Sequence, residues 1–83
     1  MKALVTGVSG QDGYYLAQQL LAERHEVYGM VRGRPGPVRD QLLEELPGLK
    51  LVEGDLLDQS SLQAVLKETE PEVIYNMGAI TFV

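Results

Sequence analysis

Apolar residues fall in short runs separated by stretches of helical period. Ala3-Leu4-Val5 is brief and unalternating, the pattern of a strand buried on both faces, and it ends at Thr6-Gly7. A glycine-rich turn follows. Leu16 and Leu20, with Ala17 and Leu21, are then spaced four apart on adjoining strips of one helix face, while Gln18, Gln19, Glu23 and Arg24 fall mainly on the other. Residues 27–31 (Val-Tyr-Gly-Met-Val) predict a second buried strand. Residues 32–37 hold two prolines and two glycines, which break both periods and predict a loop. Val38, Leu42 and Leu46 recur every four residues and predict a short helix stopped by Pro47-Gly48. Residues 49–53 predict a third strand. Ser60 and Gln63 have capping-box spacing, and Leu62, Val65 and Leu66 give the next helix an apolar face until Pro71. Val73-Ile74-Tyr75 predicts a fourth strand, and Gly78 opens another turn.

The order is βαβαβαβ. Alternation of this kind predicts an α/β fold, a parallel sheet with helices on both faces. Right-handed crossovers favour the doubly wound, Rossmann-type order 3-2-1-4. Residues 1–83 form one segment of such a domain. Strand four would be a sheet edge, followed by the mostly apolar Ile80-Thr81-Phe82-Val83. An exposed edge is ordinarily covered, so the segment is expected to belong to something longer or to meet a partner.

Composition narrows the chemistry. The chain has 83 residues, no cysteine and one histidine, His25. Disulfides, thiolate metal sites and multi-histidine metal sites are thereby excluded. Net charge is −5, with seven basic residues spread along the chain, which argues against duplex nucleic acid as a partner. No apolar run approaches the roughly 18 residues that span a bilayer. The N-terminal apolar stretch breaks at Thr6-Gly7, unlike a signal peptide, so a cytoplasmic location is the default expectation.

The turn Gly7-Val8-Ser9-Gly10-Gln11-Asp12-Gly13 lies directly between the first strand and the first helix. Its GxxGxxG spacing suits a dinucleotide. Gly7 turns the chain off the strand, Gly10 lets backbone N–H groups approach a pyrophosphate, and Gly13 lets the helix pack close to the sheet. The helix start favours the anion. Asp12 has a second reading, stabilising the helix dipole. An NAD site usually places an acid near the end of strand two. Here that end is Val31-Arg32-Gly33-Arg34, and no acid follows until Asp40. Arginine grips a 2′-phosphate by paired hydrogen bonds, so NADP is expected, with solvated loop charges as the alternative.

Asp55 and Leu56 follow strand three, where an acid can accept from adenine's amine and a leucine can pack on the ring. A helix cap is the other reading of Asp55, although Asp58 and Ser60 stand nearer the helix. Asn76 to Thr81 lie beside the switch point where open α/β sheets bind ligands. Tyr14, Tyr15 and Tyr75 are assigned to packing, and His25 to a solvated turn.

Four stretches carry a resemblance: residues 6–16, 26–32, 54–58 and 72–76. Together they resemble the N-terminal part of the GDP-mannose 4,6-dehydratases, extended short-chain dehydrogenase/reductases, with Gly10-Gln11-Asp12-Gly13 as the most specific part. The resemblance implies a tightly held NADP. Hydride leaves the sugar's fourth carbon, water is lost across the fifth and sixth, and the hydride returns to the sixth, giving GDP-4-keto-6-deoxymannose. It further implies a dimer or tetramer. By motif match, Gly7 through Asp12 would hold the pyrophosphate, and Arg32 and Arg34 the 2′-phosphate. Asp55 and Leu56 would line the adenine site, and Met77, Gly78, Ala79, Ile80 and Thr81 the nicotinamide side. Two features depart from the family pattern: Ile80 and Phe82 replace polar residues, and Gly33 displaces a second arginine. The family's Tyr-x-x-x-Lys pair has no counterpart in these residues, so of its catalytic set only Thr81 would stand near the sugar. Another extended short-chain epimerase or reductase, and a non-catalytic NADP-binding module, are the competing readings.

Overall fold

In the computed structural model, residues 1–32 and 36–77 are described. Strand β1 (Lys2–Thr6) is almost wholly buried: Ala3, Leu4 and Val5 expose no surface and Thr6 1%. It is flanked on both sides, by β2 (Glu26–Val31) and by β4 (Val73–Asn76), and β3 (Lys50–Glu53) pairs on the far side of β2. All pairings are parallel and the order is β3-β2-β1-β4, as the alternation of elements predicts. The register sets Leu4 beside Tyr28 and Ile74, and Val31 beside Glu53.

Strand side chains alternate between faces, so β1 feeds two cores. Ala3 and Val5 point to one face, where they join Val8, Ala17 and Leu20 of the first turn and helix, together with Val27, Leu42, Leu46 and Leu49. Leu4 points to the other and joins Met30, Val52 and Val65. Helices α1 (Gln11–Ala22) and α2 (Pro37–Glu45) thus cover one face, and α3 (Gln59–Thr69) covers the opposite one. Gly29 in β2 is a packing requirement: a Cβ there would come within 2.9 Å of Val8 Cγ1.

Three local expectations are corrected. Helix α3 is capped by Asp58, whose carboxylate accepts from the Ser60 and Ser61 N–H groups, so Ser60 lies inside the helix and the Ser60–Gln63 capping box does not form. An acid one residue outside the helix reaches two orphan donors at once. Val38 is 62% exposed and does not share the buried stripe of Leu42 and Leu46. Tyr15 is largely exposed, edge-on to Tyr14, whereas Tyr14 and Tyr75 do pack against the core. His25 is half-buried and its Nε2 lies 3.6 Å from Glu23 Oε1.

Candidate functional site

The carboxyl ends of the strands carry the candidate site. Leaving β1, Gly7 adopts φ +68°, a left-handed conformation that glycine takes without strain. Its carbonyl accepts from the Gly10 N–H at 3.0 Å, closing a tight turn. Gly10 is then the extended N-cap of α1, and it brings no side-chain hydrogen bond. The first-turn N–H groups of α1 therefore meet the turn without a side-chain cap, and Asp12 is the acid among them. A Cβ on Gly13 would drive into the Gly7 carbonyl and sit 2.8 Å from its carbon. The helix start and the turn are in backbone contact, which only glycine at 13 allows. Val8 buries its side chain completely in the core, so the turn presents its backbone; Ser9, Gly10, Gln11 and Asp12 are exposed. Exposed amides at a helix start with small residues around them suit an anionic ligand.

Arg32 stands exposed where β2 ends. A cleft of ≈430 Å³ opens beside it, lined by Ser9, Val31, Arg32, Gly36, Pro37, Val38 and Arg39. The fold thus brings the glycine turn and Arg32 to one cavity. It also brings Arg39, which the sequence pattern did not single out. The signal was present: Arg39, Leu42 and Leu46 follow the i, i+3, i+7 spacing of one helix face, with the aliphatic stem of Arg39 in place of an apolar side chain. Arg39 Nη2 lies 3.9 Å from Glu53 Oε2. Arg34 lies outside the described residues.

Asp55 is fixed by local bonds. Its carboxylate accepts from the Leu57 N–H at 2.9 Å, its carbonyl from the Asp58 N–H at 3.0 Å, and its own N–H donates to Ser61 Oγ at 2.8 Å. This turn leads into α3, whose cap is Asp58 and not Asp55. Leu56 is half-buried against the core under α3, and neither residue lines the cleft beside Arg32. Gly54 N–H donates to the Val31 carbonyl at 2.9 Å, tying the ends of β2 and β3 together. Across β1, the Thr6 hydroxyl donates to Asn76 Oδ1 at 2.8 Å and pins the end of β4 to the end of β1. Met77 packs half-buried against the larger core. Gly78, Ala79, Ile80 and Thr81 lie outside the described residues. No helix among the described residues is long and apolar enough to cross a membrane, and no acidic, histidine or cysteine group there could hold a metal ion.

Known proteins of the same build are numerous in kind. The sheet superposes on that of the Bordetella bronchiseptica enzyme WbmH, solved in complex with NAD+, with TM-score 0.74 and 26% identity, over 96% of this chain and 26% of that one. It superposes on AtPrR2, solved with NADP+ and (+)pinoresinol, with TM-score 0.77 and 31% identity, over 96% of this chain and 26% of that one. In sequence, the chain is 42% identical to the GDP-mannose 4,6-dehydratase of Vibrio cholerae across 94% of its own residues. It spans 23% of the length of that relative. The family model described as GDP-mannose 4,6 dehydratase matches residues 4–83, from the first strand through the glycine turn and beyond β4. Gly7, Gly10 and Gly13, at the turn that leaves the central strand of the 3-2-1-4 sheet, all fall within the matched residues, and the chain belongs to the GDP-mannose 4,6-dehydratase family.

Proposed function

We propose that residues 1–83 act as the cofactor-binding part of an NADP-dependent sugar-nucleotide dehydratase whose substrate is GDP-mannose. The observation that carries this is the cleft at the end of β2, where Arg32 and Ser9 of the glycine turn stand together in a chain of this family. The backbone of Gly7, Val8, Ser9, Gly10, Gln11 and Asp12 would cradle the pyrophosphate, with Gly13 holding α1 close. Arg32, with Arg34, would take the 2′-phosphate. Asp55 and Leu56 would border the adenine, and Met77 through Thr81 the nicotinamide, with Thr81 nearest the sugar. The locked Asp55 turn suits an acceptor held in place, because its carboxylate already has a fixed direction. NADP, when bound, supplies the hydride acceptor that sugar oxidation needs and the donor that the later reduction needs. The chain's own part is to bind and orient it. GDP-mannose as substrate, GDP-4-keto-6-deoxymannose as product, lyase chemistry, a homo-oligomer and a cytoplasmic location belong to the same proposal and rest on family membership. Without a Tyr-x-x-x-Lys pair, these 83 residues by themselves are expected to bind cofactor and not to turn over.

Titration of the chain with NADPH and with NADH, followed by nicotinamide fluorescence, tests the cofactor. NADPH should bind more tightly, and Arg32→Ala should weaken it about ten- to a hundredfold, the loss of one or two charge-assisted hydrogen bonds. Equal affinities, or failure of either to bind a sample folded by circular dichroism, would sink the assignment.

A further inference from the structure

We infer that Thr6 is a positioning residue that aims the carboxamide of Asn76 at the nicotinamide half of the dinucleotide. The inference rests on the cofactor reading above and adds to it a pair of residues on the side of β1 away from Arg32 and its cleft. A dinucleotide lies across the point where strand order reverses. In this sheet that point falls between β1 and β4, because β2 and β3 stack on one side of β1 and β4 pairs on the other. With the adenosine half on the side of Arg32, the second half lies over the end of β4. Register sets Thr6 directly beside Asn76, and each is the last residue of its strand. Thr6 is 1% exposed, and its hydroxyl donates to Asn76 Oδ1 at 2.8 Å. Asn76 itself is exposed. A carboxamide carries its oxygen and its nitrogen at opposite corners. Holding Oδ1 inward against Thr6 therefore turns Nδ2 outward, with two N–H donors and no acceptor. That orientation favours ligand oxygens, such as those of the ribose and carboxamide of a nicotinamide nucleotide. The neighbouring backbone turns away on both strands: Gly7 follows Thr6 with φ +68°, and the Met77 N–H returns to the Tyr75 carbonyl at 3.2 Å. One hydrogen bond thus joins the two turns that flank the switch point. Asn76 is ordered before a ligand arrives, so less entropy is lost on binding.

The test measures Kd for NADPH and for 2′,5′-ADP, which keeps the adenosine and its 2′-phosphate but lacks the nicotinamide half. The chains are wild type, Thr6→Val and Thr6→Ser. Thr6→Val keeps the buried shape and removes the hydroxyl, so the Asn76 carboxamide is no longer held. It should weaken NADPH about three- to tenfold, the loss of one hydrogen bond, and leave 2′,5′-ADP at its wild-type Kd. Thr6→Ser keeps a hydroxyl and should restore most of the NADPH affinity. A hydrogen bond that only staples β4 to β1 would weaken both ligands alike or neither, and either result overturns the inference. The wild-type chain gives a second reading that needs no variant to fold. Its Asn76 Nδ2 resonances, followed by NMR, should shift with NADPH and stay in place with 2′,5′-ADP. Resonances that ignore bound NADPH, or that move equally with both ligands, overturn the role of Thr6 and Asn76 and leave the cofactor reading intact. A folded wild-type chain that binds neither ligand overturns both.

Discussion

At the scale of single residues, glycines divide by what surrounds them. Gly13 and Gly54 are both crowded, yet by different atoms. A Cβ on Gly13 meets the backbone of Gly7, which is held by the turn hydrogen bond to Gly10 and cannot retreat. A Cβ on Gly54 meets Met30 Sδ at 2.7 Å and Val65 Cγ2 at 2.9 Å, and a methionine end can swing aside. Gly13→Ala should therefore cost more than Gly54→Ala. We expect Gly13→Ala to lose about 3 kcal/mol in urea unfolding, the upper range for overpacking, and Gly54→Ala about 1 kcal/mol. Equal losses would mean that the turn at Gly7 yields as easily as a side chain. The same contact gives the last glycine of the motif its physical content: Gly13 is there for helix packing.

At the scale of elements, the strands were legible in the sequence because both faces of the sheet are covered. Burial on both faces leaves uninterrupted apolar runs such as Ala3-Leu4-Val5, and these alternate with helical periods. The phase of α2 was not legible. Val38, Leu42, Leu46 and Arg39, Leu42, Leu46 are both helical spacings, and hydrophobicity alone prefers the first. Val38 is exposed, and the face of the helix toward the sheet is set by Leu42 and Leu46. The same ambiguity hid Arg39 from the candidate site, whereas Arg32 was found because it directly follows a strand. The start of α3 was misassigned since Asp58, Ser60 and Ser61 are all competent caps, and only backbone geometry chooses among them. Two comparisons check these assignments by thermal or urea unfolding. Asp58→Ala should cost about 1 kcal/mol and Ser60→Ala close to nothing. Leu42→Ala should cost about 2–5 kcal/mol, whereas Val38→Ser should stay within about 0.5 kcal/mol of wild type. A costly Ser60→Ala would restore the capping box.

At the scale of the whole molecule, the sheet has two chemically different ends. The carboxyl end holds the glycine turn, Arg32 and the cleft. The amino end holds an ion pair that ties β2 to β3. Glu26 Oε2 at the start of β2 accepts from Tyr28 Oη at 2.9 Å and lies 3.2 Å from Lys50 Nζ at the start of β3. Lys50 also sits 5.4 Å from the centre of the Tyr28 ring. The Tyr28 hydroxyl and then Lys50 hold the Glu26 carboxyl below its ordinary value of 4.5, and the same carboxylate pushes the Tyr28 phenol up. A depressed folded pKa means that the contribution of Glu26 is complete above 4.5 and is lost as pH falls through the lower, folded value. Because the cluster is solvent-exposed, the effect is small and salt-sensitive. Glu26→Gln should therefore bring the urea midpoint at neutral pH slightly closer to its acid value, flattening the acid side of the stability curve, with the difference shrinking in 1 M salt. NADPH affinity of the variant should stay at the wild-type value, since the cluster lies at the far end of the strands from Arg32. A Glu26→Gln chain that unfolds normally but binds NADPH poorly would show the two ends of the sheet to be coupled, and the separation of stabilising charges from binding charges would fail.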